Sequence, residues 1–90
     1  MEKVTVTVVN EVGLHARPAS LLTKLVKDFD CEIDVFKNGI ESKRYQPKSI
    51  LSIMAMGAMK GDKLTFEVNG RAEKEAVRAI EDFIRNGCGE

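Results

Sequence analysis

The sequence changes from a strand pattern to a helix pattern within the stretch Gly13-Leu14-His15-Ala16-Arg17-Pro18-Ala19-Ser20. Before this stretch, valines alternate with polar residues from Lys3 to Val9, which predicts a half-buried strand. After it, a helix is predicted from His15 to about Lys27, because apolar side chains recur at helical spacing. These side chains are Pro18, Leu21, Leu22, Leu25 and Val26.

The next part of the chain predicts a hairpin. Residues Cys31 to Phe36 alternate as a second strand. Asn38-Gly39 follows, and this pair is a strong turn signal because both residues accept positive φ. The returning segment from Ile40 to about Tyr45 is polar, and we expect it to form an edge strand.

A short helix, a strand and a longer helix complete the predicted order. Ser49 is the expected N-cap of a helix from Ile50 to about Ala55, and a strand follows in which Leu64, Phe66 and Val68 alternate. The last helix ends near Gly87, and its apolar side comprises Ala72, Ala76, Val77, Ile80, Phe83 and Ile84. The order β-α-β-β-α-β-α predicts an α+β fold with helices on one face of an antiparallel sheet.

The composition excludes several classes of protein. Ninety residues predict a single domain spanning 1–90. The charges of the 14 basic and 14 acidic residues cancel, so the formal net charge is zero. This balance argues against a general nucleic-acid binder. The sequence contains no apolar run long enough for a membrane span and no signal-peptide pattern, so we expect a cytoplasmic protein that does not bind membranes.

Two cysteines, Cys31 and Cys88, lie far apart in the sequence. Two isolated thiols do not form a disulfide framework, and a cytoplasmic protein would keep them reduced. Neither cysteine has metal-site spacing with His15. We therefore predict no metal and no other cofactor.

The candidate site is His15, the only histidine, at the start of the first predicted helix. The unpaired N–H groups and the positive dipole end of a helix N-terminus stabilise anions. Arg17 adds a charged donor for a phosphoryl group on the ring, and Pro18 stiffens the first turn without losing a needed N–H. The residues alone do not separate phosphate binding from phosphate acceptance, because both functions require the same pattern. His15 could also be a simple cap residue.

The stretch Gly13 to Ser20 resembles the active-centre motif of the HPr family, the phosphocarriers of the phosphoenolpyruvate-dependent sugar phosphotransferase system. The resemblance implies that His15 accepts a phosphoryl group on Nδ1 from enzyme I and passes it to the IIA domain of a sugar permease, while Arg17 steadies the phosphohistidine. It also implies a monomeric carrier rather than an enzyme. The implied fold is an open-faced β-sandwich with four antiparallel strands and three helices on one side.

A second motif, Lys48 to Met54, resembles the segment in which many Gram-positive HPr proteins carry a regulatory serine. By this resemblance Ser49 is a regulatory phosphorylation site for a serine kinase. The alternative is that Ser49 is only an N-cap. Pro47 and the long segment from Ile40 to Gln46 depart from the family pattern just before the serine.

The predicted short helix is rich in flexible apolar side chains. We expect Ile53 and Met56 to enter the core. By resemblance, the docking patch for partner proteins comprises Ala16, Ile50, Leu51 and Met54. Lys24 and Lys27, on the first helix, are further candidates, since their charges could meet an acidic partner surface. The alternative is that both remain solvated.

Two other functions compete with the sugar phosphocarrier. One is an HPr-like regulatory paralogue that controls a transcription factor or a nitrogen-related phosphorelay; it would keep His15 and change its docking face. The other is a small-molecule-binding α+β domain without phosphorylation. The sequence contains no metabolite-binding motif that would favour this last alternative.

Overall fold

The structure is a computed structural model that describes residues 1–90. Three strands alternate with three helices in the order β1 (Glu2–Thr7), α1 (Ala16–Lys27), β2 (Cys31–Lys37), α2 (Ile50–Met56), β3 (Lys63–Gly70) and α3 (Glu73–Arg85). The predicted strands and helices at these positions are confirmed, with boundaries that shift by at most two residues. The α+β class is confirmed as well.

The sheet has the strand order β1-β3-β2, and both pairs of neighbours are antiparallel. Phe66 lies in the central strand and is the register partner of both Val4 and Val35. Because side chains alternate along a strand, Leu64, Phe66 and Val68 all point into one buried face. The opposite face carries polar pairs such as Thr5 and Thr65, whose hydroxyls are 2.9 Å apart.

The core lies between this apolar face and the three helices. It joins Val6, Ile33, Val35 and the β3 side chains with buried residues of each helix, which include Leu22, Ile53 and Ile80. Ile53 and Met56 are buried as predicted. None of the three helices is long and apolar enough to span a membrane.

The predicted fourth strand, Ile40 to Tyr45, is wrong. Asn38 and Gly39 do adopt positive φ and form the predicted turn. A second turn follows at once, because the Lys43 amide donates to the Ile40 carbonyl. Pairing with β2 is limited to one position, where Val35 and Tyr45 exchange two backbone hydrogen bonds of 3.0 and 2.8 Å.

The returning segment meets β2 only around Tyr45. The Arg44 guanidinium lies 4.8 Å from the centroid of the Phe36 ring and pairs with Glu67. Gln46 donates through its side-chain amide to the Asp34 carboxylate at 2.7 Å. These side chains hold the segment beside β2 around Tyr45. The amides of Glu41 and Lys43 donate to the carbonyls of Gly39 and Ile40 within the turn, so the backbone pairing of a fourth strand does not extend beyond Tyr45.

Candidate functional site

His15 is the N-cap residue of α1. Its backbone is extended, with φ −87° and ψ −167°, and its carbonyl accepts a 2.7 Å hydrogen bond from the Ala19 amide. The imidazole is exposed and makes no capping hydrogen bond. The sequence placed this residue correctly at the start of the first helix, although the helix itself begins one residue later.

The first turn of α1 provides free hydrogen-bond donors directly after His15. The amides of Ala16 and Arg17 donate to no acceptor of the chain, as expected for the first residues of a helix. Pro18, the next residue, has no N–H to satisfy and is buried. An anion attached to the ring of His15 would therefore meet two unpaired N–H groups and the positive end of the helix dipole.

Arg17 is exposed beside this turn. Its only ion pair is with Glu90, with 3.7 Å between Nη1 and the carboxylate Oε2, and 73% of the arginine side chain remains accessible. Because exposed ion pairs contribute little to stability, the guanidinium is held only loosely. No other ion pair or side-chain hydrogen bond holds it.

The loop before His15 is fixed against the end of α2. Gly13 has φ +67°, and a Cβ there would lie 2.2 Å from the Ala58 carbonyl oxygen, so only glycine fits. The amide of Leu14 donates to the same carbonyl at 2.9 Å, and the Leu14 side chain is buried. These contacts join the histidine to the segment that follows α2.

This junction brings His15 next to part of the predicted docking patch. A cavity of about 110 Å³ is lined by Leu14, His15, Met54, Gly57, Ala58 and Met59. The other patch residues, Ala16, Ile50 and Leu51, are exposed, and Leu51 has 80% of its surface accessible. An apolar surface therefore lies beside the histidine, and Met59 belongs to it although the sequence did not single it out as a site residue.

Lys24 and Lys27 do not join this cluster. Both are exposed in the last turn of α1, and Lys24 lies roughly 14 Å along the helix axis from His15 at 1.5 Å per residue. In this position their positive charges interact favourably with the negative end of the helix dipole.

Ser49 is the N-cap of α2, as predicted. Its hydroxyl oxygen accepts a 3.2 Å hydrogen bond from the Ser52 amide. The residues before it are held tightly. The Pro47 carbonyl accepts from the Thr23 hydroxyl at 3.0 Å, and the Lys48 ammonium donates to the carbonyls of Phe29 and Cys31.

The two cysteines lie outside this site. Both are free and buried. Burial raises the pKa of the Cys88 thiol to about 11, with a further contribution from the Glu90 carboxylate. No three His, Cys, Asp or Glu side chains are grouped so that they could hold a metal ion.

Two residues that contact the site were missed from the sequence. Asn10 binds Gly13 through its side chain at 2.9 Å, and Glu90 reaches Arg17. Asn10 lies three residues before Gly13, a spacing at which a polar side chain often binds the backbone of its own loop. Nothing in the sequence placed residue 90 beside residue 17, because that contact depends on how α3 packs.

Comparisons with known proteins agree with this geometry. A multiphosphoryl transfer protein of Salmonella typhimurium is 39% identical over 81 residues, which are 90% of this chain and 22% of that protein. This chain therefore spans about a fifth of that curated relative. The crystal structure of HPr from Thermoanaerobacter tengcongensis has a TM-score of 0.91 and 37% identity, and the match covers 100% of this chain and 98% of that one.

A second solved structure is the histidine-containing phosphocarrier protein of a Mycoplasma, with a TM-score of 0.85 and 32% identity. That match covers 97% of this chain and 96% of the other. The family model described as the PTS HPr component phosphorylation site matches residues 2–86. The chain therefore belongs to the PTS HPr family.

Proposed function

We propose that this chain carries phosphoryl groups in the phosphoenolpyruvate-dependent sugar phosphotransferase system, with His15 as the acceptor. The observation that carries the proposal is the exposed, unbonded imidazole of His15 at a helix start whose first two amides have no acceptor. The names of the relatives, a multiphosphoryl transfer protein and a histidine-containing phosphocarrier, support the same chemistry.

In the proposed reaction, a ring nitrogen of His15 attacks a phosphoryl group carried on a histidine of enzyme I. A P–N bond forms to His15 as the P–N bond to the donor breaks. Catalysis of phosphoryl transfer depends mainly on positioning and charge stabilisation. This chain would supply the Ala16 and Arg17 amides and the Arg17 guanidinium to the phosphoryl oxygens, and the partner would complete the site.

The second transfer, to a IIA domain, reverses the roles. His15 then releases the phosphoryl group to a histidine of the IIA protein, and a new P–N bond replaces the old one. Because both bonds are of one kind, the group moves with little loss of transfer potential. The exposed side chains of the docking patch would contact both partners, and flexible methionine adapts to different surfaces.

The proposal is tested by incubating the protein with phosphoenolpyruvate and enzyme I and measuring the intact mass at alkaline pH. We expect the addition of one phosphoryl group that is stable to base and lost in mild acid. His15→Ala should abolish the addition, and Ser49→Ala should leave it unchanged. An acid-stable adduct, or full labelling of the His15→Ala protein, would refute the proposal.

The same sample separates the sugar pathway from the regulatory alternative. After enzyme I is removed, a IIA protein of a sugar permease should take the phosphoryl group and return the carrier to its original mass. A phosphorylated carrier that no sugar-specific IIA protein discharges would favour the regulatory paralogue instead.

A further inference from the structure

Asn10 is a buried polar residue just before the loop that leads to His15, with only 8% of its surface accessible. We propose that Asn10 is a positioning residue for phosphoryl transfer at His15. This inference rests on the proposed function, and it concerns how the chain holds the histidine rather than which partner supplies the phosphoryl group.

Asn10 binds Gly13 twice. Its side-chain amide Nδ2 donates to the Gly13 carbonyl at 2.9 Å, and its own carbonyl accepts from the Gly13 amide at 3.3 Å. Both backbone polar groups of residue 13 are therefore bound to residue 10. The loop of residues 10–13 becomes a closed unit that cannot rotate at Gly13 without breaking one of these bonds.

The closed loop is fixed to the rest of the protein at Ala58, and the exposed Glu11 carboxylate also pairs with Lys60. Gly13 packs against Ala58, and the Leu14 amide donates to the Ala58 carbonyl at 2.9 Å. His15 is the next residue, and its own side chain makes no hydrogen bond that would hold it. The backbone of His15 is therefore held on one side by the loop, which Asn10 closes, and on the other side by the bond from the Ala19 amide to its carbonyl.

The chemistry of the interaction requires a donor at residue 10. Gly13 is buried, so its carbonyl would lose its partner if residue 10 were alanine. An aspartate has the same shape, but its ionised carboxylate cannot donate.

Within the Asn10 side chain, only Nδ2 binds the loop. Its Oδ1 is buried and makes no hydrogen bond with any group of the chain. The Nδ2 donor is therefore the group that a test has to remove in one variant and replace in another.

The test compares Asn10→Ala, Asn10→Asp and Asn10→Ser with Thr23→Val. Thr23 is also buried and donates to a loop carbonyl, that of Pro47 at 3.0 Å, but it lies outside the site.

Phosphoryl transfer from enzyme I is measured at a temperature at which thermal unfolding shows every variant to be folded. We expect kcat to fall roughly 10- to 100-fold for the alanine and aspartate variants, with KM for enzyme I within about twofold. The serine variant, which keeps a donor, should recover part of the rate, and Thr23→Val should keep the normal kcat.

A second measurement makes the inference independent of enzyme I. Phosphoramidate, a small chemical phosphoryl donor, is used to phosphorylate the proteins, and amide NMR signals are recorded. In the wild type the signals of the Ala16 and Arg17 amides should move downfield on phosphorylation, and in Asn10→Ala this shift should be lost or reduced.

The outcomes separate the two proposals. If enzyme I fails to label the wild type while this Asn10-dependent shift is seen, the proposed function is wrong and the positioning role stands. Normal kcat and a normal amide shift in Asn10→Ala would overturn the positioning role.

Discussion

Arg17 and Glu90 face each other at the start of α1, with 3.7 Å between the guanidinium Nη1 and the carboxylate Oε2. The tail that carries Glu90 is held by backbone hydrogen bonds from Cys88 to the Phe83 carbonyl and from Glu90 to the Gly87 carbonyl. The pair is exposed, and such pairs contribute little to stability. A phosphoryl group on His15 would therefore compete with the Glu90 carboxylate for Arg17.

Arg17→Ala should slow phosphoryl transfer at least about tenfold, because one charge-assisted donor to the phosphoryl oxygens is lost. The free energy of unfolding should change by less than about 0.5 kcal/mol, since the side chain is exposed. Quench-flow transfer from enzyme I and chemical denaturation measure the two effects. Glu90→Gln is the matched control: it removes the competing carboxylate and should not slow transfer. A large loss of stability with normal transfer would assign Arg17 a structural role.

Met54→Asp should weaken binding to enzyme I and to IIA proteins. Met54 lines the same cavity as His15, and burial of such a side chain at an interface contributes roughly 1.5–3 kcal/mol, which corresponds to a Kd at least about tenfold higher. Calorimetric titration measures the change. Ile40→Asp, an exposed apolar position outside the patch, is the control and should bind normally. Equal weakening by both variants would show that the docking patch is misassigned.

Ser49→Asp should fold normally and accept phosphoryl groups more slowly. A negative charge at a helix N-terminus is favourable by about 0.3–1 kcal/mol, but here it adjoins the exposed Ile50 and Leu51 side chains. Ser49→Ala should cost about 0.5–2 kcal/mol of stability, because the bond to the Ser52 amide is lost. Transfer rates and thermal unfolding separate the two effects, with Ser42→Asp as a charge control. If the aspartate variant transfers at the normal rate and a purified HPr serine kinase leaves Ser49 unmodified, the residue is only a helix cap.

Cys88 should make stability depend on pH in the alkaline range. Burial raises the pKa of its thiol from 9.0 to about 11 in the folded protein, so the unfolded chain releases the proton first as the pH rises. The contribution of the Cys88 thiol to the free energy of unfolding is complete below pH 9 and is lost as the pH approaches 11. The difference in the free energy of unfolding between wild type and Cys88→Ala should shrink over this interval. A difference that stays constant from pH 8 to 11 would contradict the assignment.

The elements of the fold could be predicted where local pattern and tertiary contacts agree. The alternation in β1, β2 and β3, the helical spacing in α1 and α3 and the Ser49 cap are all local signals, and the structure contains each of them. The prediction of a fourth strand failed because polar residues of this kind occur both in edge strands and in turns. The structure forms the turn, with hydrogen bonds inside residues 39–43, and only Tyr45 pairs with β2.

The site could be predicted only in part. His15, Arg17 and Pro18 are adjacent in sequence, so the helix start that joins them was visible directly. The contribution of Ala58, which fixes Gly13 and Leu14, depends on a contact across more than 40 residues. The same is true of Glu90 beside Arg17, because packing of α3 against α1 brings them together and no local pattern encodes it.

The measurement that tests the central claim most directly is NMR of the ¹⁵N-labelled protein after phosphorylation by enzyme I and phosphoenolpyruvate. Long-range spectra of the imidazole should show the phosphoryl group on Nδ1 of His15. The Ala16 and Arg17 amides, which have no acceptor in the unphosphorylated protein, should move downfield as they donate to the phosphoryl oxygens. A phosphoryl group on any other residue, or unchanged signals from these two amides, would contradict the account.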